Sequence, residues 1–414
     1  MRILVLNGGS SSFKCWFSEL SGEDFPVRAP EPLWSARVDW SHHSGSAEIR
    51  IRRSDGAVND RSMRGDKPVA VLRPVIESLW DGPARVLQSR SEIDVVCHRI
   101  VHGGPEYTEN APLTAEVRSA IAKQAEFAPS HNRFELEAIQ TVDQVVGTDV
   151  LQIAAFDTGF HSTLDPAAYV YSGPYAWLQQ GIRRFGFHGI SHRYAAHRAA
   201  ELLDSRALRL ITCHLGNGAS LAAVRNGKSV DTTMGFTPLE GLMMGTRCGS
   251  IDPGILIYLI RHCRYSAEQL DRVLNQESGL LGVSGVSGDM REIVEAMNGG
   301  NARARLAFDI YAHRLIRETG AMLAVLGGLD ALVFTGGVGE NSAPLRARVC
   351  EQLRFSGVRL DPAKNLQPKF DQDVAATDSQ VHVLVIRAEE EWEIARECYH
   401  LASQRVGARQ PAAL

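Results

Sequence analysis

The sequence predicts an α/β protein built from two similar domains, and three observations carry that reading. At 414 residues the chain is long enough for two domains, or three, each with its own core. Short apolar runs of strand length, at 3–6, 93–101 and 150–156, alternate with segments of helical period. The layout at the start, a strand, a tip rich in Asn and Gly, then a second strand, recurs at 208–224. That recurrence points to a duplication.

The remaining composition narrows the class. A hydrophobic fraction of 44%, a charged fraction of 22% and a formal net charge of -4 describe a soluble globular chain and call for no nucleic-acid partner. The longest apolar runs, 255–260 and 321–326, fall short of the roughly 20 residues of a membrane span. The opening stretch is too brief for a signal peptide and reads as the first strand. Seven scattered cysteines, with no Cys-x-x-Cys pair, predict free thiols in a reducing cytoplasm, with Cys15, Cys97 and Cys213 as small core residues.

Taken in order, 3–6 and 13–17 flank the tip Asn7-Gly8-Gly9-Ser10-Ser11-Ser12, a hairpin pattern that leaves Lys14 just beyond the tip. Prolines at 26, 30 and 32 and alternation near 47–51 predict strand and loop as far as 66. Residues 69–80 read as helix, and 93–101 as a strand stopped by Gly103-Gly104, with Arg99 near its end. Leu113, Val117 and Ile121 recur every fourth residue, so Thr114 opens a helix that stops before Pro129, and a second runs over 134–146. The buried-strand run 150–156 then delivers Asp157 to a strand end. An acid there lies where open α/β sheets bind ligands, or it caps the next turn.

In the second half, strands at 208–213 and 219–224 lead through Asn226-Gly227, a tight hairpin turn, to a third strand at 229–232. Residues 237–253 form a long glycine-rich loop holding Arg247. Helices follow over 254–263 and 266–275, then the glycine-serine segment 278–288, a helix opened by Asp289-Met290-Arg291, and a longer one over 301–326. The apolar run 331–333 feeds the glycine-rich turn Phe334-Thr335-Gly336-Gly337-Val338-Gly339-Glu340-Asn341. Its glycines let the backbone approach a flat or anionic ligand. It matches neither a P-loop nor the dinucleotide fingerprint, so a nucleotide loop and an ordinary strand-to-helix turn both fit. After Pro344 come a helix, a turn at Leu360-Asp361-Pro362, a strand over 381–386 and a last helix opened by Glu389-Glu390-Glu391, acids of the kind that favour a helix N-terminus.

Several motifs, in order along nearly the whole chain, resemble the acetate kinase family. They are Asn7 through Lys14, His98-Arg99-Ile100-Val101-His102-Gly103-Gly104, Phe156-Asp157-Thr158-Gly159-Phe160-His161, and Arg183-Arg184-Phe185-Gly186-Phe187-His188-Gly189-Ile190-Ser191-His192. His214-Leu215-Gly216-Asn217-Gly218, Asp231 through Arg247, and the glycine-rich turn complete the set. The resemblance implies two duplicated actin-like, ribonuclease-H-like domains with the active site in the cleft between them. One is 1–157, joined by the last helix, 389–414; the other, nucleotide-binding, is 158–388. It also implies a homodimer and reversible transfer of the ATP γ-phosphoryl to acetate, giving acetyl phosphate and ADP, with Mg²⁺ or, in its place, Mn²⁺.

The chemistry explains the residue types. A simple carboxylic acid, with a pKa of roughly 4, is already ionised at neutral pH and needs no base to become a nucleophile. The obstacle is repulsion between anions, so cations and oriented donors must hold the reactants in line. Arginine suits this through its planar, permanently charged fork. The resemblance assigns Arg99 to the substrate carboxylate, Arg247 to the transferring phosphoryl with His188 assisting, and His131 to the substrate's surroundings. Spacing alone would leave each arginine a surface ion pair and His188 a structural histidine.

By the same resemblance Val101, Ser130, Phe187 and Pro238 line the acyl pocket, and Asn7 and Glu390 hold the metal. Asp157 matches the acid/base position; with no proton to remove, it is expected to position a magnesium-bound water. Lys14, His214, Leu215, Gly216, Asn217 and Gly218 fall to the phosphates, and Asp289, Met290 and Arg291 to the nucleoside. Gly337, Val338, Gly339, Glu340 and Asn341 fall to adenine and ribose, and this intact loop argues for ATP over pyrophosphate.

Two departures stand out: Ser130 replaces the family's usual Leu, and Ser250 its usual Asp after Arg247. The first bears on acetate against propionate, where one methylene changes binding by about 1 to 3 kcal/mol; the second bears on how Arg247 is held. Rival readings are a propionate or butyrate kinase, a kinase for hydroxyl substrates with Asp157 as true base, and a non-catalytic ATP-binding module.

Overall fold

The computed structural model describes residues 1–9, 12–22, 25–40, 46–64, 68–124 and 129–409, with the backbone alone at 68–69, 129–133 and 405–409. The chain forms two compact units, Met1–Gly159 with Glu389–Leu414, and Phe160–Ala388.

The first unit holds an eight-stranded sheet. Its strands are β1 (Arg2–Gly8), β2 (Ser12–Glu19), β3 (Trp34–Asp39), β4 (Ser46–Arg53), β5 (Val58–Arg64), β6 (Val95–Ile100), β7 (Ala111–Pro112) and β8 (Leu151–Phe156), in the order β5-β4-β3-β2-β1-β6-β8-β7. Strands β1 to β5 are an antiparallel meander, and β6 and β8 run parallel to β1. Central β1 is buried on both faces, as its nearly unbroken apolar run requires; β4 alternates buried and exposed because one of its faces is wet. On one side Leu4, Leu6, Phe17 and Trp34 pack with Val71 and Val75 of the helix Pro68–Glu77 and with Ala138 and Val142 of the helix Pro129–Val145. The last helix, Glu390–Arg409, lies against β1, β2, β6 and β8, with the Trp392 ring 6.0 Å from that of Trp16.

The second unit repeats the plan. Strands β9 (Arg209–Leu215), β10 (Ala219–Arg225), β11 (Lys228–Thr232), β12 (Ala331–Thr335), β13 (Gln372–Asp373) and β14 (His382–Val385) lie in the order β11-β10-β9-β12-β14-β13. Again three antiparallel strands are followed by two parallel to the first. The two sheets therefore share one order, third, second, first, fourth, fifth, around their leading strands. Asn226 and Gly227 both have positive φ, 52° and 78°, as a two-residue hairpin turn demands.

Five local features differ from expectation. The glycine-rich segment after β12 is a short helix, Gly336–Asn341, and not an irregular turn. The segment 278–288 contains the helix Gly279–Ser284, and Asp361 caps the helix Pro362–Leu366 instead of simply turning the chain. The helix Pro129–Val145 begins five residues early. The helix Gly189–Leu202 was not anticipated: eight of its residues are buried, so it lacks the one-sided apolar stripe by which helices are read.

Candidate active site

In the first unit, functional side chains gather beyond the carboxyl ends of the adjacent parallel strands β1, β6 and β8, the side of an open α/β sheet where ligands bind. Asn7 is the penultimate residue of β1, Arg99 lies near the end of β6, and Asp157 follows β8. Arg99 Nη2 donates to Asp157 Oδ2 at 2.8 Å, and its Nη1 to the Gly8 carbonyl at 2.7 Å. Asp157 is 1% exposed and its own N–H is tied to the Ile100 carbonyl at 2.8 Å. Burial works against the Arg99 charge, but the carboxylates of Asp157 and Glu390 outweigh it and hold the guanidinium above its ordinary pKa. An ion pair so buried leaves Arg99 charged and fixed in direction.

Asn7 links this pair to the last helix. Its side-chain Nδ2 donates to Glu390 Oε2 at 2.9 Å and Glu391 Oε1 at 2.6 Å, and Lys14 Nζ lies 3.5 Å from Glu391 Oε1. With its nitrogen thus engaged, the Asn7 carbonyl oxygen and the Glu390 carboxylate form an oxygen donor set, which suits a hard divalent cation. Two cations, Arg99 and Lys14, stand among three carboxylates, Asp157, Glu390 and Glu391, so the local balance favours a further positive charge. Among the described residues no group of three or more His, Cys, Asp or Glu side chains has metal-binding geometry. A cation here would take its remaining ligands from phosphate and water.

The second unit brings together a different set. Between β9 and β10 the tip Gly216–Gly218 is closed by Gly216 N–H donating to the Gly218 carbonyl at 2.9 Å. A Cβ at Gly218 would stand 3.2 Å from His188 Nε2 and 3.5 Å from Arg247 Nη1, so the imidazole and the guanidinium both abut this tip. His188 starts the helix Gly189–Leu202 in the left-handed region, φ 56°, a costly conformation for a side chain that clusters at functional sites. Its Nδ1 pairs with Ser220 Oγ at 2.9 Å, Ser220 meets His192 Nε2 at 2.7 Å, and His192 Nδ1 meets Thr212 Oγ1 at 2.7 Å. Burial keeps His192 well below the usual histidine range, hence neutral. The His188 ring lies tilted against that of His214, centroids 4.3 Å apart, and His214 Nδ1 pairs with Ser191 Oγ at 2.7 Å.

Arg247 Nη1 donates to the Pro238 carbonyl at 2.8 Å. Ser250, where the resemblance expected an aspartate, closes the same loop through two bonds with Gly241: its N–H reaches the Gly241 carbonyl at 2.9 Å and its hydroxyl accepts the Gly241 N–H at 3.0 Å. Gly245 N–H holds the Asn217 carbonyl at 3.0 Å, tying the Arg247 loop to the glycine tip. Phe187 is buried beside His188, and its carbonyl pairs with His161 Nε2 at 3.1 Å.

The helix Gly336–Asn341 is fixed from both ends. Glu340 Oε1 accepts the N–H groups of Gly336 at 3.0 Å and Ala388 at 2.9 Å, while buried Arg346 donates to the carbonyls of Gly339 at 2.7 Å and Glu340 at 2.8 Å. Gly337 is exposed at its start, Val338 half-buried, and Asn341 Nδ2 returns to the Gly337 carbonyl at 2.9 Å. Asp289 caps the helix Met290–Asn298 and pairs with Arg291; Met290 is buried at 3% exposure. Val101 is buried in the first unit, and Leu215 ends β9. The side chains of Ser130 and His131 lie outside the described residues. Sequence reasoning overlooked Glu391, Glu135 and Ser220. Only the run of three glutamates at the last helix hinted at the first, and nothing local marks the others.

Two α/β units of one topology, each with polar side chains at the carboxyl ends of its parallel strands and with buried or braced arginines, define a phosphotransferase of the duplicated actin-like class. Comparison with known proteins agrees: the acetokinase family model matches residues 2–396. An acetate kinase from Nostoc punctiforme is 54% identical, covering 97% of this chain and 99% of its own, and one from Gloeobacter violaceus is 55% identical, covering 96% and 99%. Among solved structures, Porphyromonas gingivalis acetate kinase superposes with a TM-score of 0.85 at 37% identity, covering 97% of this chain and 99% of its own. A propionate kinase from Francisella tularensis gives 0.86 at 32%, covering 96% and 98%. The chain belongs to the acetokinase family, and is a phosphotransferase with a carboxyl acceptor, ATP and ADP as co-substrates and a divalent metal. No described helix is long and apolar enough to cross a membrane.

Proposed function

We propose that this chain transfers the γ-phosphoryl of ATP to acetate, reversibly and by direct in-line displacement, with Mg²⁺ as the usual metal and Mn²⁺ as a substitute. The observation that carries the reading is the buried Arg99–Asp157 pair at the carboxyl end of β6 and β8. A short carboxylate arrives ionised, so Arg99 receives it by charge and Asp157 keeps the guanidinium aimed. Val101 lies two residues further on; by position in the family motifs it is assigned to the acyl group, as are Phe187, Pro238 and Ser130. Arg247 and His188, side by side on the Gly218 tip, spread the charge that develops on the transferring phosphoryl. His131 is a further acceptor-side residue by position in the family motif.

The phosphates fall to Lys14 and to His214 through Gly218, and the nucleoside to Asp289–Arg291 and Gly337–Asn341. For Asp289 and Arg291 a plain capping role competes with this assignment, because each already serves the other. Asn7 and Glu390 would hold the metal, whose contribution when bound is to neutralise phosphate charge.

Support for acetate as acceptor comes from relatives above 50% identity that bear that name along almost their whole length. A second reading, propionate as acceptor, rests on Ser130 and on the Francisella tularensis propionate kinase. Trapping product with hydroxylamine over acetate, propionate and butyrate decides between them. The highest kcat/KM is expected with acetate; a propionate maximum reassigns the acceptor, and no hydroxamate with any acid refutes acyl phosphate formation.

A cytoplasmic location is supported by the free thiols, with Cys15, Cys97, Cys213, Cys350 and Cys398 buried. A homodimer is supported by the helix Pro253–Cys263, which leaves Ile255, Ile257, Tyr258 and Ile260 each 46 to 59% exposed.

A further inference from the structure

Glu135 is a buried carboxyl that the reaction as described does not use. It sits on the helix Pro129–Val145, 4% exposed, beneath the segment that leaves β6. One oxygen, Oε1, accepts the Val101 N–H at 3.0 Å; the other, Oε2, is buried with no hydrogen-bond partner among the described residues. Arg99 Nε is likewise buried and unpartnered, although the two Nη atoms are engaged by Asp157 and Gly8. Glu135 thus grips the backbone two residues beyond the cation assigned to the acceptor carboxylate.

We infer that Glu135 is a positioning residue of the acceptor site: it fixes the Val101 backbone without setting a further anion against Arg99, whose charge is left to the incoming carboxylate. The charges around it explain why. Arg99 on β6 is the cation nearby, Asp157 after β8 already pairs with it, and Glu390 at the start of the last helix also acts on it. An ionised Glu135 would bury a bare oxygen and add an anion facing the place where an anionic substrate must bind. Burial, with Asp157 adding to it, raises the Glu135 carboxyl to about 8 against the opposing pull of Arg99 and the Val101 N–H. At neutral pH it is therefore a hydrogen-bond acceptor without charge.

This inference rests on the assignment of Arg99 and Val101 to the acceptor, and the test separates the two. KM for acetate and for ATP is measured for the wild type, Glu135→Gln, Glu135→Ala and Arg99→Gln between about pH 7 and about pH 9. The wild-type acetate KM is expected to rise severalfold as Glu135 ionises, while Glu135→Gln, which cannot ionise and keeps an acceptor for Val101, shows no such rise. Glu135→Ala leaves the Val101 N–H unpaired and raises the acetate KM about tenfold at every pH, with the ATP KM nearly constant. An alkaline rise that persists in Glu135→Gln, or equal changes in both KM values in Glu135→Ala, overturns the role of Glu135. An acetate KM unmoved by Arg99→Gln overturns the acceptor assignment itself. Should Glu135→Ala fail to fold, the Glu135→Gln profile decides alone.

Discussion

Asp157 carries the sharpest question for a single side chain, because its carboxylate already holds Arg99 at 2.8 Å in a site almost closed to solvent. Under the proposed function a residue so engaged would orient a cation, since a base is not needed for an acceptor that arrives ionised. Replacing Asp157 with Asn should therefore lower kcat by about a hundredfold, the usual penalty for a misaligned group, and by the same factor at every pH. A pH–rate profile that merely shifts its midpoint would speak for proton transfer instead. The positions of Arg99 and Asp157 at strand ends were legible in the sequence because each follows its own apolar run. Glu391, Glu135 and Ser220 were not: their meaning comes from Asn7, Val101 and His188, partners 384, 34 and 32 residues away.

The helix Gly336–Asn341 makes the corresponding case for an element. Gly336 has φ 77°, and a Cβ there would meet the Leu215 carbonyl oxygen at 2.8 Å; at Gly337 the same atom would meet open space. Gly336→Ala should lose ~1–3 kcal/mol from backbone strain alone. It should also displace the loop, seen as a lower Tm and a raised KM for ATP. Gly337→Ala is expected to keep the parent Tm, and equal losses in both variants would refute this account. Sequence pattern found the loop yet missed its helical form, since three glycines in six residues carry almost no helix propensity. The clamps that enforce it, Glu340 and Arg346, act through tertiary contacts. The helix Gly189–Leu202 escaped for the opposite reason: burial around its circumference erased the period.

For the whole molecule, the exposed apolar face of the helix Pro253–Cys263 bears on assembly. If it is the dimer contact, the wild type should sediment as a dimer and Ile257→Glu as a folded monomer with an unchanged circular dichroism spectrum; a monomeric wild type removes the proposal. The duplication itself was readable, because hairpin tips and strand periods are local signals. The shared strand order was not, since register between distant strands is set by packing. One consequence of that architecture concerns time. The first unit pauses at Gly159 and resumes at Glu389, with the entire second unit between. On a ribosome, the roughly 230 intervening residues take on the order of 10 to 45 s to make at about 5 to 20 residues per second. Through that interval Asn7 waits without Glu390 and Glu391, and Trp16 without Trp392. The half that is synthesised first is completed last, and its charged centre assembles only when the final helix emerges.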